Sequence, residues 1–406
     1  MPWVLIAAAL LGRSLFLAFA PTLAVSVDLR HWLDVGLILK AGGNPYVSTP
    51  YLNWPPLWMG ILWTLLKVNA WTHIPFFRLI QFFLILTDCL VIALLSRGLK
   101  RRFPSVAVEL PICVGLALNP ASIFLACQHS NFDALVGLFV LLFCFYLSDF
   151  ERNHAHTDWY KACLFLGLGI LTKTVPLILV PLLLPGLKRL DLRRRLAGLL
   201  LALGPATLGV GILYVRNPVE IAANVLSYRS QSGWFGLTGL LGPLAPLYQA
   251  ASPLVLAGAA AWAGLRALKG PQRTEDILLT AALLLVCVPA LGPGYAPQYI
   301  GWFLPLLIAL YVVDKTRSWR LLLGGLGAII AATYSYEYAL CDSHGAFLLH
   351  MVTDPTWEEA GRRYCAPLAQ TLLRFPLFAA YLIFLSAGVL KLLRAGCPPS
   401  NLESRR

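Results

Sequence analysis

Residues 26–71 read SVDLRHWLDVGLILKAGGNPYVSTPYLNWPPLWMGILWTLLKVNAW and directly follow the first apolar run of the chain. This stretch concentrates polar and aromatic side chains in a sequence that is 58% hydrophobic and only 13% charged. It holds two carboxylates, Asp28 and Asp34, and the imidazole of His31. Because charged groups are costly at membrane depth, this dense polar stretch is the first candidate for a functional site.

The composition predicts an integral membrane protein. The charged fraction is about half of that in an average soluble chain, and apolar runs long enough to cross a bilayer recur along the 406 residues. Helices satisfy their own backbone hydrogen bonds in lipid. We therefore expect an all-α polytopic membrane protein, with a single transmembrane domain over residues 1–406 and no separate soluble domain.

The first loop decides the topology. The apolar run at residues 55–68 is too short to cross comfortably, whereas the run at residues 74–95 is long enough and ends in the basic cluster at residues 97–102. If that cluster is cytoplasmic, all of residues 26–73 form an extracytoplasmic loop that contains helices. Pro55 and Pro56 then open a helix that lies at the membrane or dips into it, since proline is tolerated in a first helical turn.

Continuing the alternation predicts about twelve spans with both termini in the cytoplasm. Lys and Arg assigned to the inside then outnumber those outside about two to one, as the positive-inside rule requires. The net charge of +13 is therefore topogenic, and no nucleic-acid partner is expected. A second extracytoplasmic loop is expected at residues 334–367. Cys341 and Cys365 share it, and whether they form a disulfide is left open.

Under this topology the unusual polar residues fall on the outer side. Asp28 could be part of a functional site, but three structural roles also remain open: a solvated loop acid, a partner for Arg30, or the N-cap of the following helix. Lys173 is either a cation for a phosphate oxygen or a side chain that snorkels to the interface. Arg229 has the same two interpretations.

Two further residues are assigned from their surroundings. His129 is interpreted as a hydrogen-bond donor to an anion, because no second His or Cys follows at metal-ligand spacing. Asp88 lies in the middle of a span and is interpreted as a structural partner for a neighbouring helix.

Several of these motifs resemble one family. The pattern that carries the resemblance in the first loop is Asp28, Trp32, Gly43-Asn44-Pro45-Tyr46 and Trp54-Pro55-Pro56-Leu57. It resembles the first external loop of GT-C fold glycosyltransferases, which are membrane enzymes that use polyprenyl-phosphate sugars. They include the glucosyltransferases of dolichol-linked oligosaccharide assembly and bacterial mannosyltransferase-like relatives. Further similar segments follow in order: Asn119-Pro120, Gln128-His129-Ser130-Asn131-Phe132-Asp133, Leu171-Thr172-Lys173, and Gln298-Tyr299 with Trp302 and Pro305.

The resemblance covers about residues 1–310 and implies a GT-C-like bundle of about twelve helices. It implies inverting transfer of a hexose, mannose or glucose, from a polyprenyl-phosphate donor to an extracytoplasmic lipid-linked glycan or other acceptor. Asp28 is the implied catalytic base. The family run that often follows this acid is longer than Arg30-His31-Trp32 here, so Asp34 is kept as the alternative.

The remaining site residues follow from the same resemblance. A leaving phosphate needs fixed cations and donors; the residues expected to bind it are Lys173, Arg229, His129, Gln298 and Arg78. The residues expected to contact substrate are His31, Gln128, Asp133, Tyr299 and Trp54. No metal and no cofactor are expected, since the lipid-phosphate sugar is a substrate and no acidic cluster calls for an ion. The chain is expected to be a monomer in a bacterial plasma membrane, with the endoplasmic reticulum as the other option.

A different class of protein is the alternative. A polytopic transporter or lipid flippase would also have about twelve spans and buried charges. Such proteins usually have two similar halves with interrupted helices at matching positions. No such repeat is visible here, since the first loop has no counterpart near the middle of the chain. A non-enzymatic scaffold would leave the one-sided polar residues without a role.

Overall fold

The computed structural model describes residues 2–19, 26–50, 52–227, 235–270, 272–340 and 366–395. Within these ranges the regular secondary structure is helical, and no strand occurs. The α-helices are α1 (Pro2–Phe19), α2 (Val27–Lys40), α3 (Pro45–Ser48), α4 (Leu57–Thr72), α5 (Phe76–Arg102), α6 (Glu109–Ile112), α7 (Pro120–Phe124), α8 (Asp133–Asn153), α9 (His156–Thr172), α10 (Leu184–Arg189), α11 (Leu192–Arg216), α12 (Pro218–Ile221), α13 (Gly236–Leu240), α14 (Ala245–Ala267), α15 (Thr274–Leu291), α16 (Ile300–Val313), α17 (Arg317–Leu340) and α18 (Ala366–Ala395). Three π-helical segments (Cys113–Ala117, Leu125–His129, Ala222–Leu226) and three 3₁₀ segments (Val175–Leu183, Gly242–Leu244, Pro297–Tyr299) connect them.

Seven helices in the described part of the chain are long and apolar enough to cross a membrane. They are α1, α5, α8, α11, α14 with the 3₁₀ turn before it, α15 and α18. A broken pair, Glu109–Ala117 and Pro120–His129, is bent by 46° and makes an eighth span if it counts as one. The expectation of an all-helical protein with membrane-spanning helices is therefore confirmed at this level.

The expected count of about twelve spans is not confirmed. The helix α9 has 17 residues, and α16 has 14. Both are shorter than the about 20 residues that a full crossing takes. Short apolar helices buried among other helices have the same sequence pattern as spans, so the pattern alone does not distinguish the two.

The helix α8 connects two polar ends of the bundle. Its 21 residues measure about 31 Å at the usual helical rise, which is close to the thickness of the hydrocarbon core. Asp133 stands in its first turn and pairs with Lys173. Near its other end, Asp149 accepts a hydrogen bond from Nη2 of Arg102 at 2.7 Å and also pairs with Arg101. The basic cluster at the end of α5 and the polar residues of the expected site thus lie at opposite ends of α8.

One ion pair lies between these ends. Arg13 of α1 is fully buried and pairs with Asp88 of α5. Its guanidinium also donates to the carbonyl oxygen of Ala117 at 2.8 Å and to Oγ of Ser122 at 2.9 Å, on either side of the bend between the two broken helices. The interpretation of Asp88 as a structural partner for a neighbouring helix is confirmed.

Helix α17 changes the outline of the second expected loop. It continues through Leu340, so Tyr334 lies within a helix and not in a loop. Residues 341–365 lie outside the described residues, and so do Cys341, Cys365 and the disulfide considered for them.

Candidate functional site

The first turn of α2 positions Asp28. Ser26, not Asp28, is the N-cap of this helix, because Oγ of Ser26 accepts the backbone N–H of Leu29 at 3.1 Å. The interpretation of Asp28 as the cap is therefore wrong. Ser and Asp cap helices equally well, and here the serine hydroxyl takes the role. The carboxylate of Asp28 is left to make contacts outside its own helix.

A π-helical turn at Leu125–His129 supplies those contacts. A π turn adds one residue to a helical turn and is common at functional sites. After it, Ser130 takes a left-handed backbone with φ of 55° and turns the chain into α8. Such a turn leaves carbonyls without helical partners. Side chains of α2, its cap and α5 satisfy three of them: Gln81 donates to Cys127, Ser26 to His129, and Trp32 to Ser130.

This turn brings His129 and Asn131 onto Asp28. Nε2 of His129 lies 2.8 Å from Oδ2 of Asp28, and Nδ2 of Asn131 donates to the same oxygen at 2.5 Å. Burial by itself raises the pKa of the Asp28 carboxyl. The facing His129, the hydrogen bonds from His129 and Asn131, and nearby His31 more than offset it, so the pKa lies below its usual range. The side chain retains 23% of its exposure, so it is both ionised and reachable.

Asn131 connects Asp28 to a second charged pair. Its Oδ1 accepts the backbone N–H of Asp133 at 2.9 Å. The carboxylate of Asp133 in turn accepts from Nζ of Lys173 at 2.8 Å and 3.1 Å. Both of these side chains are buried, at 0% and 1% exposure. A buried ammonium requires such a partner, because an isolated charge in the interior costs many kcal/mol.

Aromatic rings enclose the ammonium group of Lys173. Its Nζ lies 4.2 Å from the ring centroid of Trp54, 4.9 Å from that of Trp302 and 5.0 Å from that of Tyr299. Cation–π contacts at these distances are favourable, and more so where water is excluded. These three rings and the carboxylate of Asp133 therefore form a cage around the ammonium group of Lys173.

The Gly-Asn-Pro-Tyr turn holds the nearest of these rings. Oδ1 of Asn44 accepts the backbone N–H of Tyr46 and caps α3. The hydroxyl of the buried Tyr46 then donates to the carbonyl oxygen of Trp54 at 2.7 Å. The Gly43-Asn44-Pro45-Tyr46 turn thus fixes the backbone at Trp54. This places the Trp54 ring over Lys173.

Two glycines allow the helices to meet beside the cage. A Cβ at Gly137 of α8 would lie 2.2 Å from the carbonyl oxygen of Gly301 in α16. The two backbones are therefore in direct contact one turn after Asp133. This contact explains why Tyr299 and Trp302, at the start of α16, reach the cation that Asp133 binds.

A cavity of about 400 Å³ adjoins the cage. It lies between the 3₁₀ segment Val175–Leu183 and α14, and Lys173, Trp54 and Tyr299 stand in its wall. The rest of the lining is mostly apolar: Val175, Leu177, Ile178, Leu256, Ala257, Ala260, Val288, Pro293 and Gly294, with the hydroxyl of Thr174. Leu177 is itself half exposed on the outer surface. The cavity can hold a hydrocarbon chain whose polar end reaches Lys173.

The structure brings most of the expected site residues together. Asp28, His129, Asp133, Lys173, Tyr299 and Trp54 make the contacts described above. Gln128 is buried in the π turn next to His129, and Gln298 is half-buried in the 3₁₀ turn that carries Tyr299. His31 is half-buried near Asp28; burial lowers its pKa, and Asp28 and Asp34 partly offset this.

Two expected residues stand apart from this group, and a third is outside the described residues. Asp34 is exposed on α2, so the alternative base does not join the hydrogen-bonded set. Arg78 donates to Oε1 of Gln81 at 3.0 Å. Gln81 in turn donates to the carbonyl oxygen of Cys127 in the π turn, so Arg78 contacts that turn only indirectly. Arg229 lies outside the described residues.

Three residues of the site were not among those expected to react or to bind substrate: Trp302, which belongs to the last of the similar segments, Asn131 and Tyr334. Asn131 connects Asp28 to Asp133, and Tyr334 of α17 lies 2.8 Å from Nδ1 of His129. Asn131 has a weak signal in the sequence, since it is one of several polar residues just before an apolar run. Tyr334 has none, because it lies within the apolar helix α17, which is remote in sequence from the other site residues.

These features define an all-helical protein whose apolar helices are compatible with an integral membrane protein, with a buried polar site at one end of the bundle. Comparison of the chain with protein-family models, with curated proteins and with solved structures finds no match. The function is therefore argued from the geometry of this site.

Proposed function

We propose that this protein is a membrane glycosyltransferase that moves a hexose from a polyprenyl-phosphate donor to an extracytoplasmic lipid-linked glycan or another hydroxyl acceptor. One observation carries the proposal. A partly exposed carboxylate, Asp28, and a buried cation, Lys173, belong to one hydrogen-bonded set. The cation lies in the wall of an apolar cavity.

The donor fits this cavity by its chemistry. A polyprenyl-phosphate sugar is a long hydrocarbon with one anionic group, and the lining offers apolar side chains with one cation. An ammonium group has three N–H donors. Asp133 takes two through its two oxygens, so the third can donate to a phosphate oxygen. The aromatic cage supports this because a dry cation attracts an anion more strongly than a hydrated one.

The proposed reaction needs one base. The acceptor oxygen attacks the anomeric carbon, the bond from that carbon to the phosphate oxygen breaks, and its electron pair leaves with the polyprenyl phosphate. Asp28 takes the hydroxyl proton. A phosphate monoester leaves as an anion, so no second carboxylate has to protonate it, in contrast to glycoside hydrolysis. Attack from the face opposite the phosphate inverts the anomeric centre.

His129 and Asn131 serve the base in this proposal. Both hydrogen-bond to Oδ2 of Asp28 and orient the carboxylate. They keep its pKa low, so it is deprotonated before the acceptor binds. The other oxygen, Oδ1, is then the one that faces the acceptor. Trp54 and Tyr299 stand in the cavity wall, where their edges can contact the sugar.

The test is product formation by the purified protein in lipid nanodiscs. Polyprenyl-phosphate mannose and polyprenyl-phosphate glucose are each supplied with a lipid extract as acceptor, and products are identified by mass spectrometry. We expect a mass increase of one hexose on an acceptor and release of polyprenyl phosphate. Movement of the donor between leaflets without any new product would favour the flippase alternative and contradict the transferase.

A further inference from the structure

His129 has a hydrogen-bonding partner at each ring nitrogen. Nε2 lies 2.8 Å from Oδ2 of Asp28, and Nδ1 lies 2.8 Å from the hydroxyl oxygen of Tyr334. The two partners approach from different parts of the chain, since Asp28 stands in α2 and Tyr334 near the end of α17. The ring is thus held from two sides.

The chemistry of the partners determines where the proton of a neutral imidazole lies. An ionised carboxylate only accepts hydrogen bonds, whereas a phenol both donates and accepts. The nitrogen that faces Asp28 therefore carries the hydrogen, which places it on Nε2. Nδ1 then presents a lone pair, and the hydroxyl of Tyr334 donates to it. This assignment satisfies both contacts with a single proton on the ring.

Burial makes the Tyr334 contact hard to replace. Tyr334 is 2% exposed and His129 is 3% exposed, and their ring centroids lie 6.3 Å apart. A buried acceptor that loses its donor costs about 1–3 kcal/mol. Water does not readily take the place of the hydroxyl in so closed an environment. Removal of the Tyr334 hydroxyl should therefore change the hydrogen bonding of the His129 imidazole at Nδ1.

Other groups that face His129 agree with this assignment. Asp28 and Asn131 lie on the Nε2 side. Asp133 of α8 also interacts electrostatically with His129, but its carboxylate is neutralised by Lys173. Tyr334 is the partner from α17, so it alone among these residues brings the C-terminal third of the chain to the site.

We infer that Tyr334 is a positioning residue that holds the Nδ1 edge of His129, fixes the Nε2–H tautomer of the singly protonated ring and, through it, orients the carboxylate of Asp28. For a ring with one proton, the tautomer follows from the hydrogen-bond geometry alone. Its consequence for the rate of sugar transfer rests on the proposed function. The two parts therefore need separate measurements.

The tautomer is measured by solid-state NMR of the full chain in lipid bilayers, with ¹⁵N in the histidine rings. The resonances of His129 are those that disappear in a His129→Gln variant. At a pH where the ring carries one proton, we expect this proton on Nε2 and a bare nitrogen at Nδ1. In Tyr334→Phe the Nδ1 resonance should move to higher frequency, because it loses its hydrogen bond. Tyr311→Phe, which removes a hydroxyl from the neighbouring α16, should leave it unchanged.

Two results would overturn the inference: a singly protonated His129 ring with its proton on Nδ1, or an Nδ1 resonance that is the same in the native protein and in Tyr334→Phe. If Tyr334→Phe fails to fold, 3-fluorotyrosine placed at position 334 gives the same information. It keeps the shape of the ring and is a stronger donor, so the Nδ1 resonance should move in the opposite direction.

The kinetic part uses a donor that the native protein has been found to accept. Tyr334→Phe should lower kcat about tenfold and leave KM unchanged, the pattern of a residue that acts only in the transition state. An unchanged kcat would contradict the positioning role. If the native protein transfers sugar from no donor, the proposed function fails, and the NMR result still decides the tautomer.

Discussion

The Nζ atom of Lys173 lies 2.8 Å from Oδ1 of Asp133, and both side chains are buried. This pair joins Lys173, which directly follows α9, to the first turn of α8. Buried ion pairs often contribute little net stability, yet removal of one partner alone is costly because the other charge is left uncompensated. The pair therefore offers a way to separate stability from chemistry at the site.

Loss of the cation alone should destabilise the protein strongly. In Lys173→Met the buried carboxylate of Asp133 keeps its place without a partner. We expect the free energy of unfolding to fall by about 3–5 kcal/mol, as measured by reversible unfolding in mixed detergent micelles. The double variant Lys173→Met with Asp133→Leu should recover more than half of this loss. Sugar transfer should be absent in both variants.

Lys67 provides the matched control for this experiment. It is exposed on α4 and contacts only the face of Trp63 among the contacts described for it. Lys67→Met should change the free energy of unfolding by less than about 0.5 kcal/mol, as surface substitutions usually do. Equal effects of Lys67→Met and Lys173→Met would show that the buried pair has no special role.

The Arg13–Asp88 pair should behave as a structural pair only. Asp88→Asn leaves the buried guanidinium of Arg13 without its anion. We expect a loss of about 3–5 kcal/mol in the free energy of unfolding. The fraction that remains folded should transfer sugar at near the native rate per molecule, because no atom of the pair touches Asp28 or Lys173.

A solvent-exposed pair serves as the comparison for Asp88. Lys100 and Glu109 pair at the surface, with both side chains about two-fifths exposed. Glu109→Gln should cost less than about 1 kcal/mol. A folded Asp88→Asn protein without transfer activity would contradict the structural role of Asp88.

The low pKa of Asp28 predicts how stability depends on pH. The folded pKa lies below the usual value, so folding favours the carboxylate. This contribution is fully present above the unfolded pKa of about 3.9 and is lost as the pH falls through the folded value. The difference in unfolding free energy between the native protein and Asp28→Asn should therefore not shrink from pH 8 to pH 5, where protonation of nearby His31 can only increase it, and should shrink below about pH 4. A difference that shrinks between pH 7 and pH 5 would contradict the assigned environment of the carboxylate.

The sequence predicts the helical class and much of the site because both depend on local patterns. The apolar runs predict helices in lipid, and the first-loop motif marks Asp28, Tyr46 and Trp54. The one-sided placement of polar residues marks Lys173 and His129. These predictions need only the spacing of residue types along the chain.

The contacts within the site depend on tertiary structure that spacing does not encode. Ser26 and Asp28 are equally good helix caps, and only the position of His129 shows why the serine caps and the acid does not. The π turn before His129 has no periodic signature. The pairing of Asp133 with Lys173 joins residues 40 positions apart, and either partner alone resembles a charge at the interface.

The number of spans also depends on tertiary structure. An apolar run predicts burial but does not distinguish lipid from protein as its surroundings. The helix α16 illustrates this, because it is strongly apolar and almost completely buried, yet it has only 14 residues.

The central claim is that Asp28 is the base of a sugar-transfer site, and a comparison of two acids on the same helix tests it most directly. Transfer of hexose from a polyprenyl-phosphate donor is measured for Asp28→Asn and for Asp34→Asn, with folding checked by thermal unfolding. Asp34 is exposed and outside the hydrogen-bonded set, so Asp34→Asn should retain the native rate. Asp28→Asn should lower kcat about 10²- to 10⁴-fold, the usual contribution of a general base. Full activity of a folded Asp28→Asn protein would contradict the account.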